Sequence, residues 1–111
     1  SRSFRHFPES PANSGLVEHE PESRWPEGEV PRCVDFKVSC CRLSEALDAV
    51  FSQTGGLPDI FLKIDVEGAE VQVLEGLDDH HWESVAAIAA ETQRSSGNLQ
   101  KLLSLCERHG F

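Results

Sequence analysis

The sequence predicts an α/β fold built on part of a doubly wound parallel sheet, and three observations carry that expectation. Two short apolar runs, IFLKID at 60–65 and VAAIAAE at 85–91, have the length of strands, and each ends in an acid. A segment of helical spacing follows each run: Val71, Leu74 and Leu77 after the first, then Leu99, Leu102, Leu103 and Cys106 after the second. Strands that alternate with helices imply crossover connections and hence a parallel sheet.

Taken in order along the chain, residues 1–33 hold all but one of the six prolines and many charges, with no sustained period, and read as an irregular loop or insertion segment. From Val34 the pattern VDFKVSC sets Val34, Phe36 and Val38 against Asp35, Lys37 and Ser39, the signature of a half-buried strand. Ser44 is placed to cap a helix over 45–53, with Leu47, Val50 and Phe51 on its apolar side and Gly55-Gly56 as its stop. The run 60–65 is apolar except for Lys63 and is expected to be a central strand buried on both faces. A helix over 68–77, its stripe widened by Val73, packs back on that strand. After the second run, Asn98 is the expected cap of the last helix, which Gly110 closes behind Arg108 and His109.

Composition narrows the function classes. At 111 residues and 12.3 kDa the chain fits one small domain. It begins at Ser1 without Met and stops at Phe111 after the helix-ending RHGF, so both ends read as cuts through something larger. A net charge of -9, with no Lys/Arg-rich run to follow a phosphate backbone, argues against a nucleic-acid partner. No run approaches the roughly 18 apolar residues that a membrane span needs, and no signal-peptide core is present, so the segment reads as soluble.

Cys33, Cys40, Cys41 and Cys106 show no CxxC spacing, and reduced thiols in a cytosolic compartment are the expectation. Cys40 and Cys41 would be packing residues if they lay in a strand. His80, His81, Cys106 and His109 are candidate metal ligands by type. Without a carboxylate or Cys partner at a known spacing, surface histidines and no metal are the reading.

The chemistry-bearing residues gather where the strands end. In open parallel sheets ligands bind outside the carboxyl ends of the strands, and Asp65 and Glu91 stand at that rim. Adjacent strands lie about 4.8 Å apart, so two such side chains can address one ligand atom. Lys63, two residues back on the same strand face, can orient the Asp65 carboxylate. The competing reading makes Asp65 a helix cap, Glu67 and Glu70 complements to the positive helix end, and Glu91 the start of a solvated loop. A buried strand does not need a carboxylate at its end in order to be capped, which favours a functional Asp65; for Glu67 and Glu70 the structural reading is preferred.

The segment LKIDVEGAEVQVLEGL, Leu62 to Leu77, resembles the signature of the FkbM-type methyltransferase family, whose usual form is K-I-D-V-E-G-A-E followed by an apolar helix and Gly. CRLSEALDAV resembles the helix before that strand, VAAIAAE the following strand with its Glu, and LQKLLSLCERHGF the next helix. FPESPANSGL resembles an upstream family loop. The similarity covers residues 42–111. It implies that residues 34–111 are the C-terminal part of a Rossmann-like class I methyltransferase domain, a truncated parallel sheet with flanking helices.

The implied activity is S-adenosylmethionine-dependent methyl transfer, often to a hydroxyl oxygen of a sugar, lipid, polyketide or peptide product. The implied partners are a small-molecule or natural-product acceptor and a larger parent chain. Asp65 then ends the strand on the acceptor side of the methyl donor as base or positioning group, with Glu91 its partner, while Glu67 and Gly68 shape the turn. Two departures stand out. Members often follow the strand-end Glu with His and an acid, whereas this chain reads Glu91-Thr92-Gln93-Arg94. The glycine-rich first turn and the acid after the second strand, which hold the methionine and ribose of the cofactor, have no counterpart here, so the fragment alone is expected to be inactive. The alternative function is a non-catalytic α/β interaction module that keeps the motif because its strand-turn-helix packs well.

Overall fold

The computed structural model describes residues 1–9, 14–17, 31–92 and 97–111. Within them, strands β1 (Arg2–His6), β2 (Gly15–Leu16) and β3 (Val34–Val38) precede helix α1 (Leu43–Phe51). Strand β4 (Ile60–Ile64), helices α2 (Glu70–Glu75) and α3 (Asp79–Trp82), strand β5 (Val85–Ala90) and helix α4 (Asn98–Arg108) follow. The fold is mixed α/β, with β4 and β5 paired in parallel and β2-β1-β3 forming a separate antiparallel sheet.

The parallel pair follows the sequence pattern closely. β4 and β5 are joined through α2 and α3, the long crossover that parallel strands require. Their register runs from Ile60 opposite Val85 to Ile64 opposite Ala90, with one irregularity between Ile60 and Phe61. Ile60, Ile64 and Val85 join Val71, Leu74, Leu77, Trp82, Leu102 and Leu105 in one buried cluster, against which Leu43 and Leu47 of α1 also pack. All four helices therefore share a core with the same face of β4.

That arrangement corrects the expectation of a strand buried on both faces. Side chains alternate across a strand; Ile60 and Ile64 point into the core, while Lys63 is exposed and Phe61 is 76% exposed on the opposite face. No helix covers that face among the described residues, so the helices flank the parallel pair on one side only. The helical stripes also shift. In α4 the buried residues are Leu102 and Leu105, with Cys106 beside them, and Leu99 and Leu103 are exposed; in α1, Val50 is exposed. Each side chain was counted correctly as apolar, but a stripe of adjacent apolar residues is wider than the face the partner covers.

The helix starts differ from the expected caps. Ser44 lies inside α1, buried, and its backbone N–H donates to the Gly76 carbonyl at 2.9 Å. The helix begins two residues earlier than expected, at Leu43, with Arg42 in the cap position and its N–H donating to Glu45 Oε2 at 3.1 Å. The Ser44–Gly76 bond brings α1 so close to the end of α2 that a Cβ on Gly76 would lie 3.0 Å from the Leu43 nitrogen, a contact that the backbone would have to yield to accept. At α4 the cap position is Gly97, and Asn98 is the first helical residue.

β3 does not join the parallel sheet. It pairs antiparallel with β1 over its whole length, Arg2 opposite Val38 through His6 opposite Val34. The pairing has a polar and an apolar face: Arg5 faces Asp35, with two hydrogen bonds of 2.7 and 2.8 Å, and Lys37 donates to Ser3 Oγ at 2.8 Å. Phe4 faces Phe36 on the other side. Residues 1–33 are thus not wholly irregular, and Val34 and Phe36, expected to be half-buried, are exposed. Cross-strand partners 30 residues apart supply what local periodicity does not reveal. Cys40 and Cys41 lie beyond β3 and are exposed rather than packed. Much of FPESPANSGL lies outside the described residues, but Ser14 Oγ accepts the Phe7 N–H at 3.1 Å, and Phe7 is buried.

Candidate active site

β4 and β5 end level with one another, because the Glu91 N–H donates to the Ile64 carbonyl at 2.9 Å as the last rung of the ladder. Asp65 and Glu91, each the first residue past its strand, therefore leave the sheet side by side. With Glu67, Gly68, Glu70 and Thr92 they line one cleft of about 100 Å³. Lys63 Nζ lies 3.8 Å from Asp65 Oδ2, at the outer limit of an ion pair, and both side chains are more than half exposed.

The turn between β4 and α2 is built around two left-handed residues, Glu67 at φ 48° and Gly68 at φ 105°. Gly68 adopts this without cost, but a non-glycine residue at positive φ carries strain of about 1–3 kcal/mol, of the kind that collects at functional sites. The turn is clamped from both sides. The Gly68 N–H donates to Glu70 Oε1 at 2.8 Å, and Asn98 Nδ2 donates to the Gly68 carbonyl at 3.1 Å. β2 abuts it, since a Cβ on Gly15 would sit 3.5 Å from Glu67 Cβ.

These positions revise the structural readings of the acids. α2 begins at Glu70 with Ala69 at its cap position, so Asp65 lies too far upstream to cap it, and Glu67 is not in its first turn. Glu70 is in the first turn but is not a surface complement to the helix end: it is 2% exposed and holds the loop by accepting from Gly68. Its Oε2 and the Thr92 Oγ1 are both buried without a hydrogen-bond partner among the described residues. In the sequence Asn98 stands out only as a helix cap, Thr92 only as the neighbour of Glu91, and Glu70 only as a member of the acidic motif; none of the three is marked there as a support of the turn. Gln93 and Arg94 lie outside the described residues.

The histidines are also redistributed. His81 is fully buried, not a surface residue, and its ring nitrogen Nε2 donates to Asp48 Oδ1 at 3.0 Å. His109 stacks on Trp82, ring centroids 4.2 Å apart, and burial pushes the Cys106 thiol up, away from the reactive thiolate. Separately, a groove of about 710 Å³ runs between the antiparallel sheet and α1–α2, lined in part by Arg2, Leu16, Arg42 and Val73; none of the rim carboxylates belongs to it.

Comparison with known proteins decides what this strand-turn-helix belongs to. The model of the FkbM methyltransferase domain matches residues 12–111. The chain belongs to the FkbM methyltransferase family. Among curated proteins, it is 35% identical to methyltransferase sdnD of Sordaria araneosa, over 96% of this chain and 47% of that protein. It is 37% identical to methyltransferase 1 of Beauveria bassiana, over 69% of this chain and 30% of that protein. It is 34% identical to the 31-O-demethyl-FK506 methyltransferase FkbM of Streptomyces tacrolimicus, over 69% of this chain and 28% of that protein. The chain thus spans half or less of the length of these relatives. No solved structure matches it significantly. No helix among the described residues is long and apolar enough to cross a membrane.

Proposed function

We propose that this chain carries the acceptor side of an S-adenosylmethionine-dependent O-methyltransferase, with Asp65 as the base or positioning group for an acceptor hydroxyl and Glu91 as its partner. The observation that carries the reading is the pairing of two family-matched strands that end level in adjacent carboxylates over one cleft. At about 100 Å³ the cleft is far below the roughly 300–1,000 Å³ of a ligand pocket, so it takes one polar end of an acceptor and not a whole natural product. An oxygen acceptor is favoured by the Streptomyces relative, whose name specifies an O-demethyl substrate.

S-adenosylmethionine supplies an electrophilic methyl group when bound. The described residues do not make a seat for it: the cleft is small and acidic, the larger groove excludes the carboxylates, and Gly55-Gly56 follows a helix rather than a strand. A larger parent chain, in which residues 34–111 belong to the C-terminal part of a Rossmann-like methyltransferase domain and β4 and β5 to its sheet, would supply that seat and cover the Phe61 face. The four unpaired cysteines support a reducing, cytosolic setting.

Within this chain the roles follow from position. The acceptor hydroxyl donates a hydrogen bond to Asp65, and its proton passes to that carboxylate as the oxygen becomes nucleophilic, a gain of about 10²–10⁴-fold where the base is well placed. Lys63 lies close enough to Asp65 to steer its carboxylate electrostatically, and the clamped Glu67-Gly68 turn keeps the rim from shifting. The test is to supply the full-length protein with methyl-labelled S-adenosylmethionine and a panel of hydroxylated small molecules. One labelled methyl on an acceptor oxygen is expected; methylation only at nitrogen or carbon, or no consumption of the donor, would overturn the reading in favour of another acceptor or a non-catalytic module.

A further inference from the structure

From α1 and α3 the fold brings together three metal-ligating side chains that methyl transfer does not use. Asp48 of α1 faces His80 and His81 of α3, and one ligand atom from each lies within 4.8 Å of the other two. His81 Nε2 is 3.0 Å and His80 Nε2 is 3.8 Å from the same Asp48 Oδ1. The two imidazoles lie against each other, centroids 3.8 Å apart. We propose that Asp48, His80 and His81 bind one divalent transition ion, zinc by preference, as a clip that ties α1 to α3.

The donor spacing fits. Zinc–nitrogen and zinc–oxygen bonds of about 2.0–2.2 Å in a tetrahedron put neighbouring ligand atoms about 3.3–3.5 Å apart. The two observed separations bracket that value, so small rotations of Asp48 and His80, both about 60% exposed on their side chains, complete the set. Two imidazoles and one carboxylate suit zinc better than calcium or magnesium, which prefer oxygen donors, and leave the fourth position to water.

Burial makes one of the ligands rigid and also limits the affinity. His81 is held without exposure, so its ring is already oriented. In the metal-free protein Nε2 is hydrogen-bonded to Asp48 Oδ1, and Nδ1 is buried without a partner among the described residues. With zinc on Nε2, the ring N–H at Nδ1 would lack the acceptor that ligating histidines usually find. Binding in the micromolar rather than the nanomolar range follows. None of the three residues lines the carboxylate cleft, so the site stands independently of the methyltransferase reading.

The test is a calorimetric titration of zinc into chelator-treated full-length protein, with cobalt substitution as a spectroscopic check. One equivalent of zinc should bind with micromolar affinity, and cobalt should give the intense visible bands of a four-coordinate site. His80→Ala and Asp48→Asn, both at exposed side chains where folding is preserved, should each weaken zinc by at least about tenfold, whereas His109→Ala should not. His81→Ala is uninformative alone because the ring is a core residue, which is why the exposed ligands carry the decision. Millimolar affinity in the wild type, or equal affinity in wild type and His80→Ala, would overturn the site.

Discussion

The two sheets of the molecule are held together in opposite ways. The parallel layer of β4, β5 and its helices rests on nine buried apolar side chains, with Leu74 fully enclosed among them. The antiparallel sheet rests on backbone pairing and exposed side chains: a two-pronged Arg5–Asp35 contact, Lys37 on Ser3, and a Phe36 that is half exposed. The candidate catalytic rim belongs to the first layer. Its carboxylates are carried by strand ends anchored in a packed core, the kind of support that keeps a reacting group in place, while the second sheet approaches the turn at Gly15.

The strongest way to break this comparison is to empty the core. Leu74→Ala should cost about 2–5 kcal/mol in a denaturant titration, the range for truncating a fully buried leucine. Phe36→Ala, in the middle of the edge strand β3, should cost no more than about 1 kcal/mol, the scale of one cross-strand pair. Equal losses would mean that the two sheets share their stability after all.

A second variant sharpens the link between core and rim. Glu70→Ala leaves the Gly68 N–H without its partner and should cost about 1–3 kcal/mol of stability. It should also raise hydrogen exchange at Gly68 more than in β4. Unchanged exchange at Gly68 would show that Asn98, not Glu70, sets the turn.

The smallest effect is expected in the antiparallel sheet. The Arg5 guanidinium, through its hydrogen bonds, holds the Asp35 carboxyl below the usual carboxylate range. A depressed folded value gives stability that is present above the ordinary carboxylate range and is lost as pH falls through the folded value. With Asp35 exposed and Arg5 only partly covered, this contribution is slight. In a carbon-detected NMR titration, Arg5→Ala should return Asp35 towards ordinary behaviour while barely moving the unfolding midpoint. No change in the Asp35 titration would dissociate the pair.

The same contrast explains what could be read in the sequence. The alternation of strands and helices from Ile60 onwards was legible because its pattern is local, short apolar runs, then stripes, then glycines, although the one-turn helix α3 within the crossover was not. So was the meeting of Asp65 with Glu91, since parallel strands must end on the same side. What escaped depends on distant partners. β1 finds β3 some 30 residues away, Glu70 is buried by the fold and not by its neighbours, and Asp48 supplies the carboxylate that His80 and His81 lack in sequence. The exposed Phe61 face escaped for a different reason: an apolar run signals that a strand can be buried on both sides, but cover on the second side has to come from elsewhere.

If Asp65 handles the acceptor proton, as proposed, a pair of rate measurements will show it. In the full-length protein with its acceptor, Asp65→Asn keeps the size and most hydrogen bonds but removes the base, so the methyl-transfer rate should fall by about 10²-fold or more with the fold intact. Glu67→Gln, which removes a carboxylate from the same turn without touching that role, should stay close to wild type. Equal losses in the two variants, or full activity in Asp65→Asn, would contradict the assignment.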